Sequence, residues 1–215
     1  MGEIMIAALF AAGSLSVTQA CPNQIANETL VQELSLPRAG RTLNASTYLI
    51  SGLGPHDIGA TRLVVRTSAC DVLFEQEFEG TSDIKLTISE LGKTPILVAT
   101  ALSQGGSGCG LTHLLLTYYG DLKVLAPTDL DHDNMGAFYV GDLSGSKGPG
   151  LVLFEALWEG GSHYAPHSYR VWTYRWTAQH FAGPSVVTTA PMSPNPKQVA
   201  KALGYPFSDE MNFAC

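Results

Sequence analysis

The sequence predicts a mainly β fold of repeated antiparallel hairpin units, finished by one short helix near the C-terminus. Three observations predict it. Glycine (22) and proline (12) cut a 215-residue chain that is 45% apolar into short runs, which favours strands and turns over long helices. Ala101-Leu-Ser-Gln-Gly-Gly-Ser107 returns as Ala156-Leu-Trp-Glu-Gly-Gly-Ser162, 55 residues later, with five of seven positions identical. Copies at a fixed spacing mark repeat architectures. Finally, Asn195-Pro196 followed by Gly204 is the start-and-stop signature of a short helix.

The chain opens on an apolar stretch, residues 4–17, that carries no lysine or arginine. It is shorter than the roughly 20 residues of a membrane span and ends in Thr18-Gln19-Ala20 before Cys21. Residues 1–20 are therefore read as a secretory signal cleaved after Ala20, and 21–215 as a single β-rich domain. Glu3 and the absence of an early basic residue depart from the usual signal, and the alternative is a buried N-terminal strand or helix. Thr-Gln-Ala lacks the large residue that opens a lipoprotein cleavage site. Lipid anchoring at Cys21 is thus less favoured than a free secreted or periplasmic protein.

Residues 28–36 fit a strand or a helix. Strands are expected at 47–53, 61–67 and 71–78. Each copy of the repeat, 86–119 and 138–176, reads as a strand, a Gly/Pro turn, an apolar strand (96–102 or 151–158), a Gly-Gly-Ser loop and an aromatic or Leu-rich strand. Ile88-Ser-Glu-Leu91 corresponds to Val140-Gly-Asp-Leu143, and Pro95-Ile-Leu-Val98 to Pro149-Gly-Leu-Val152. Connections this short require antiparallel pairing. In 168–176, Tyr169, Val171 and Thr173 alternate with Arg170, Trp172, Tyr174 and Trp176, giving the strand two distinct faces. The helix, 197–203, places Val199, Ala202 and Leu203 on one stripe.

Four cysteines fall within 21–215: Cys21, Cys70, Cys109 and Cys215. An even number in an exported chain points to disulfides. Of the three pairings, the nested one, Cys21–Cys215 with Cys70–Cys109, is preferred, because chain ends often lie close together. No two cysteines are close enough in sequence to suggest zinc.

Gly141-Asp-Leu-Ser-Gly-Ser-Lys-Gly-Pro-Gly-Leu-Val-Leu153 resembles the loop of FG-GAP/VCBS repeats, the integrin-type propeller blade. The resemblance spans 138–176 and, more faintly, 86–119, and implies propeller-blade-like hairpins. It also implies a calcium loop fed by alternating acids, of which only Asp142 remains here. Ser144, Ser146 and Gly150 stand at the other ligand positions, and Lys147 adds a positive charge. One carboxylate and two hydroxyls are a poor calcium set. A second acidic run, Asp129-Leu-Asp131-His-Asp133, matches the first half of an EF-hand loop but lacks its closing acid.

Several function classes are excluded. The formal charge of −7 leaves no basic footprint for nucleic acid. No Gly-x-Ser-x-Gly nucleophile elbow, P-loop or dinucleotide fingerprint occurs. No cofactor is expected. The most suggestive cluster is Trp158-Glu159-Gly-Gly-Ser-His163-Tyr164-Ala-Pro-His167-Ser-Tyr169, at the tip of the second copy. The first copy has quite different residues there, and loops on rigid scaffolds are where binding residues collect. Trp158, Glu159, His163, Tyr164, His167 and Tyr169 are therefore the candidate contacts of a non-catalytic module that binds a protein or glycan. Two alternatives stay open. One is a metal-dependent secreted hydrolase using the histidines, Glu155, Glu159 or the acids at 129–133. The other is a periplasmic inhibitor or immunity protein, whose acidity would suit a basic target.

Overall fold

The computed structural model describes residues 21, 27–38, 40–51, 59–103, 111–118, 121–125, 135–157, 165–192 and 195–206. Twelve strands and one helix follow in chain order among them: β1 (Glu28–Arg38), β2 (Arg41–Ile50), β3 (Ala60–Thr67), β4 (Val72–Glu79), β5 (Thr81–Leu91), β6 (Thr94–Ser103), β7 (Leu111–Thr117), β8 (Lys123–Val124), β9 (Met135–Asp142), β10 (Pro149–Leu157), β11 (Ser168–Thr177), β12 (His180–Thr188) and α1 (Pro196–Ala202). They form three four-stranded antiparallel meanders, β1–β4, β5–β8 and β9–β12, each pairing in chain order. The mainly β fold of repeated hairpin units, with a short C-terminal helix, is the one expected.

The three sheets share a local irregularity. In each, the first strand carries one extra residue opposite the second. Val31 bulges against Thr47 and Tyr48, Ser82 against Leu102 and Ser103, and Gly136 against Phe154 and Glu155. Such bulges bend and twist a strand.

Side-chain alternation explains the stacking. Leu43, Ala45, Leu63 and Val65 of the first sheet meet Ile84, Leu86, Leu97 and Ala99 of the second. The opposite face of the second sheet, with Ile96, Val98 and Leu115, meets Phe138, Val140, Leu151 and Leu153 of the third. The far face of the third sheet, with Val152, Phe154 and Val171, is covered by Val199 and Ala200 of α1. Central strands thus bury both faces, and full burial of each Val, Leu or Phe contributes about 1.5–3 kcal/mol. Polar clamps join the layers. The Gln32 amide donates to Leu86 O (3.1 Å) and accepts from Leu86 N (2.9 Å). Ser89 Oγ donates to Val140 O at 2.7 Å. Both meet backbone groups of edge strands, which need partners when buried.

Several expectations are corrected. Residues 28–36 are strand, within β1. The second strand starts at Arg41, not at 47, because Arg38 and Arg41 close a tight hairpin. β12 was not anticipated, since Gly183-Pro184 reads as a break; proline is tolerated there on an edge strand. The nested disulfide pairing is replaced by Cys21–Cys70, with Cα atoms 5.5 Å apart. Cys70 sits at φ +73° in the turn between β3 and β4, where Thr67 Oγ1 accepts from Ala69 N and Asp71 N. That turn projects the thiol from the sheet end, within reach of Cys21. Cys109 and Cys215 lie outside the described residues.

Candidate functional site

The meanders place their connections unequally. The second strand joins the third through 51–59, 104–110 and 158–167, whereas the hairpins at 38–41, 91–94, 142–149 and 177–180 are at the other end. The sheets stack with these ends aligned: Thr61, near the start of β3, bonds Thr81, the start of β5, and Ser89, near the end of β5, bonds Val140, near the end of β9. Strand ends flanking 104–110 (Ser103, Leu111) and 158–164 (Leu157, Ser168) therefore share one end of the molecule with Met135, which follows 126–134. Call this the loop end.

Trp158, Glu159, His163, Tyr164, Asp129, Asp131 and Asp133 lie outside the described residues. His167 and Tyr169 are described, and both are inward-facing. His167 is buried, its N–H donates to Met192 O (3.0 Å), and its carbonyl accepts from Met192 N (2.8 Å). Tyr169 is 1% exposed and belongs to the cluster beneath α1. Burial there pushes its phenol above the usual tyrosine value.

The opposite face of β11 carries the polar group nearest the 158–164 connection. Glu155 pairs with Arg170 in the β10–β11 register. Glu155 Oε2 accepts from Arg170 Nη1 at 3.2 Å and from the Trp172 indole Nε1 at 3.3 Å. The guanidinium lies 5.9 Å from the Trp172 ring centroid, within cation–π range. The Arg170 side chain is 41% exposed and that of Glu155 16%. One carboxylate thus orients a cation and an indole at the loop-end edge of the second and third sheets' shared core. Alternation in 168–176 carries the signal for this face, since it separates Arg170 and Trp172 from Tyr169. The partner Glu155 needed the strand register to be found.

The glycine-rich loop at the other end turns its described polar groups to its own backbone and to the C-terminal segment. Asp142 Oδ1 accepts from Ser144 N at 3.1 Å, closing a local turn. Lys147 Nζ donates to Leu203 O (3.2 Å) and Gly204 O (3.1 Å) and sits 3.6 Å from the Tyr205 ring centroid. Ser144 Oγ also donates to Gly204 O. The loop thus spends its hydroxyl and its ammonium on the C-terminal segment. Gly150 is required for close approach: a Cβ there would stand 2.2 Å from Tyr174 O.

A third polar group lines the outer face of the first sheet. Arg62 donates to Glu28 (2.5 Å) and Glu75 (2.7 Å). Burial pulls its pKa down, but these two carboxylates outweigh that and leave it raised. Arg66 donates to the Tyr48 hydroxyl at 2.9 Å, and both guanidiniums lie against the Tyr48 ring.

Among the described residues, no three His, Cys, Asp or Glu side chains are grouped to hold a metal, and no helix is long and apolar enough to cross a membrane. No protein-family profile, curated protein or solved structure matches this chain.

Proposed function

We propose that the chain is an exported, non-catalytic binding module that holds a protein or glycan partner at the loop end of its sheet stack. The observation that carries this reading is the gathering of strand ends around 104–110, 126–134 and 158–164 at one end, beside the half-exposed Glu155–Arg170–Trp172 group. Three rigid sheets anchor connections that differ in sequence, which is the arrangement by which scaffolds present binding residues. Aromatic and arginine side chains dominate recognition hot spots.

Two features support export. The Cys21–Cys70 disulfide suits an oxidising compartment, and residues 4–17 suit a cleaved signal. The same disulfide disfavours a lipid anchor at Cys21, because one sulfur does not form a disulfide and a thioether together.

The test is a glycan array and a capture from culture fluid, followed by affinity measurement on the partner obtained. Trp158→Ala with His163→Ala is expected to weaken that partner by about tenfold or more without changing the melting temperature. Affinity unchanged in this variant would reject the loop end as the binding surface.

A further inference from the structure

The last described segment covers the third sheet differently from the way the sheets cover one another. α1 is seven residues long. Only its Val199 and Ala200 are fully buried, with Leu203 and Tyr205 partly so. Beneath them lie Leu143, Val152, Phe154, Tyr169 and Val171. Among the described residues, the apolar face of β9–β11 is thus covered by Val199, Ala200, Leu203, Tyr205 and Met192, where the other sheet contacts use a whole sheet.

Polar contacts make up the difference, and they concentrate at one point. The helix ends in a Schellman arrangement: Gly204 N donates to Lys201 O, Tyr205 N donates to Ala200 O, and Gly204 takes φ +70°. Two carbonyls beyond these, Leu203 O and Gly204 O, both accept from Lys147. Tyr205 receives the same ammonium on its ring, packs edge-on against Phe154 at 5.8 Å, and shares a 2.7 Å hydrogen bond with Thr173. A cation against helix-terminal carbonyls and an aromatic face is favourable on all three counts.

We propose that residues 195–206 form a strap that opens as a unit ahead of the sheets, with Lys147 as its latch, and that opening uncovers the apolar outer face of the third sheet. Among the described residues the strap makes no ladder with any strand, and Lys147, Ser144 and Thr173 hydrogen-bond its C-terminal part to the third sheet. Segments with few buried apolar contacts open at lower free energy than the core. The proposal needs no partner and stands or falls independently of the binding reading.

Native-state hydrogen exchange on the full chain tests it. In the unaltered protein the amides of Leu203, Gly204 and Tyr205 exchange faster than those of β10. Lys147→Met keeps the side-chain length and removes the charge, and it speeds exchange of these amides by about ten- to a hundredfold. Exchange in β5–β7 stays unchanged, while binding of a hydrophobic dye rises. Ser144→Ala, a milder change, gives a few-fold effect in the same direction. Unaltered strap exchange in Lys147→Met overturns the latch. Equal acceleration in β5–β7 overturns the strap as a separate unit.

Discussion

The stack has two terminal faces, and they are finished by opposite chemistries. At one end, the outer face of the third sheet is apolar and lies under α1. At the other, the outer face of the first sheet supplies no member of the three apolar clusters. It carries Ser46, Tyr48, Arg62 and Arg66, all buried, bonded to Glu33, Glu28, Glu75 and each other. The contrast teaches that one outer face of a stack can be built on a polar network and the other on apolar contacts with a strap, and that the two fail differently. A hydrogen-bonded network is costly to leave half-made, whereas an apolar face loses contact area by degrees.

Removing one partner on each face sharpens that contrast most. Arg62→Met takes a guanidinium away from the Glu28 carboxylate, whose side chain is 1% exposed, and is expected to cost about 3–5 kcal/mol. Adding Glu28→Leu should recover much of the loss, because the buried carboxylate goes with it. Phe154→Ala on the third sheet should cost a similar amount, about 3–5 kcal/mol, with no single second substitution that restores it. Urea denaturation of the three variants checks this. A double variant no better than Arg62→Met would mean the network acts through packing.

Much of the fold was legible in the sequence, and the misses have physical causes. β3, β10 and β11 read correctly as strands, β11 from its alternation and β3 and β10 from short apolar runs, because central strands bury both faces. β1 and β12 are edge strands with one half-wetted side, so their periodicity is weak. The repeat was visible, but its strongest identity is out of phase with the faces. Ala101 packs toward the first sheet and Ala156 toward α1. Two fainter correspondences agree with the ladders, whereas that of 114–119 with 169–174 does not, since Leu114 packs toward the first sheet and Tyr169 toward α1. Ile88 pairs Leu97 as Val140 pairs Leu151, and Leu97 and Leu151 each face the preceding sheet. Of the site, the alternation gave Arg170 and Trp172 but not Glu155, because a cross-strand partner depends on register. The disulfide depended on the turn at Cys70, which spacing alone does not reveal.

Among the described residues, the first sheet is also the one held covalently. Reducing Cys21–Cys70, a span of 49 residues, should lower stability by about 2–4 kcal/mol. Melting with and without reductant, in the wild type and in Cys70→Ala, measures it. The variant should melt low and ignore the reductant, unless Cys109 and Cys215 form a bond of their own. A smaller, pH-dependent effect belongs to the third sheet. Burial raises the phenols of Tyr169 and, with help from Asp142, Tyr139 above the ordinary 10.0. A raised folded-state pKa means stability is complete below the unfolded value of 10.0 and falls as pH climbs from there through the raised one. Urea midpoints from about pH 8 to about pH 11 should therefore decline, and Tyr169→Phe should flatten the decline.

The smallest expected effect tests the strap from its other end. Asn195 Oδ1 accepts from Lys197 N at 2.9 Å, and Pro196 occupies the first helical position, where no N–H is needed. Asn195→Ala should cost about 1 kcal/mol if α1 contributes to global stability. If the strap opens independently, the loss appears instead as faster exchange at Val199 and Leu203, with the global urea midpoint nearly unchanged. Arg66→Met on the opposite face gives the matching measurement. Arg66 has a tyrosine hydroxyl and an aromatic ring as its described partners, so its loss strands no carboxylate and should cost far less than that of Arg62. A global loss from Asn195→Ala as large as that from Arg62→Met would erase the distinction between the two ends, since both faces would then unfold with the sheets.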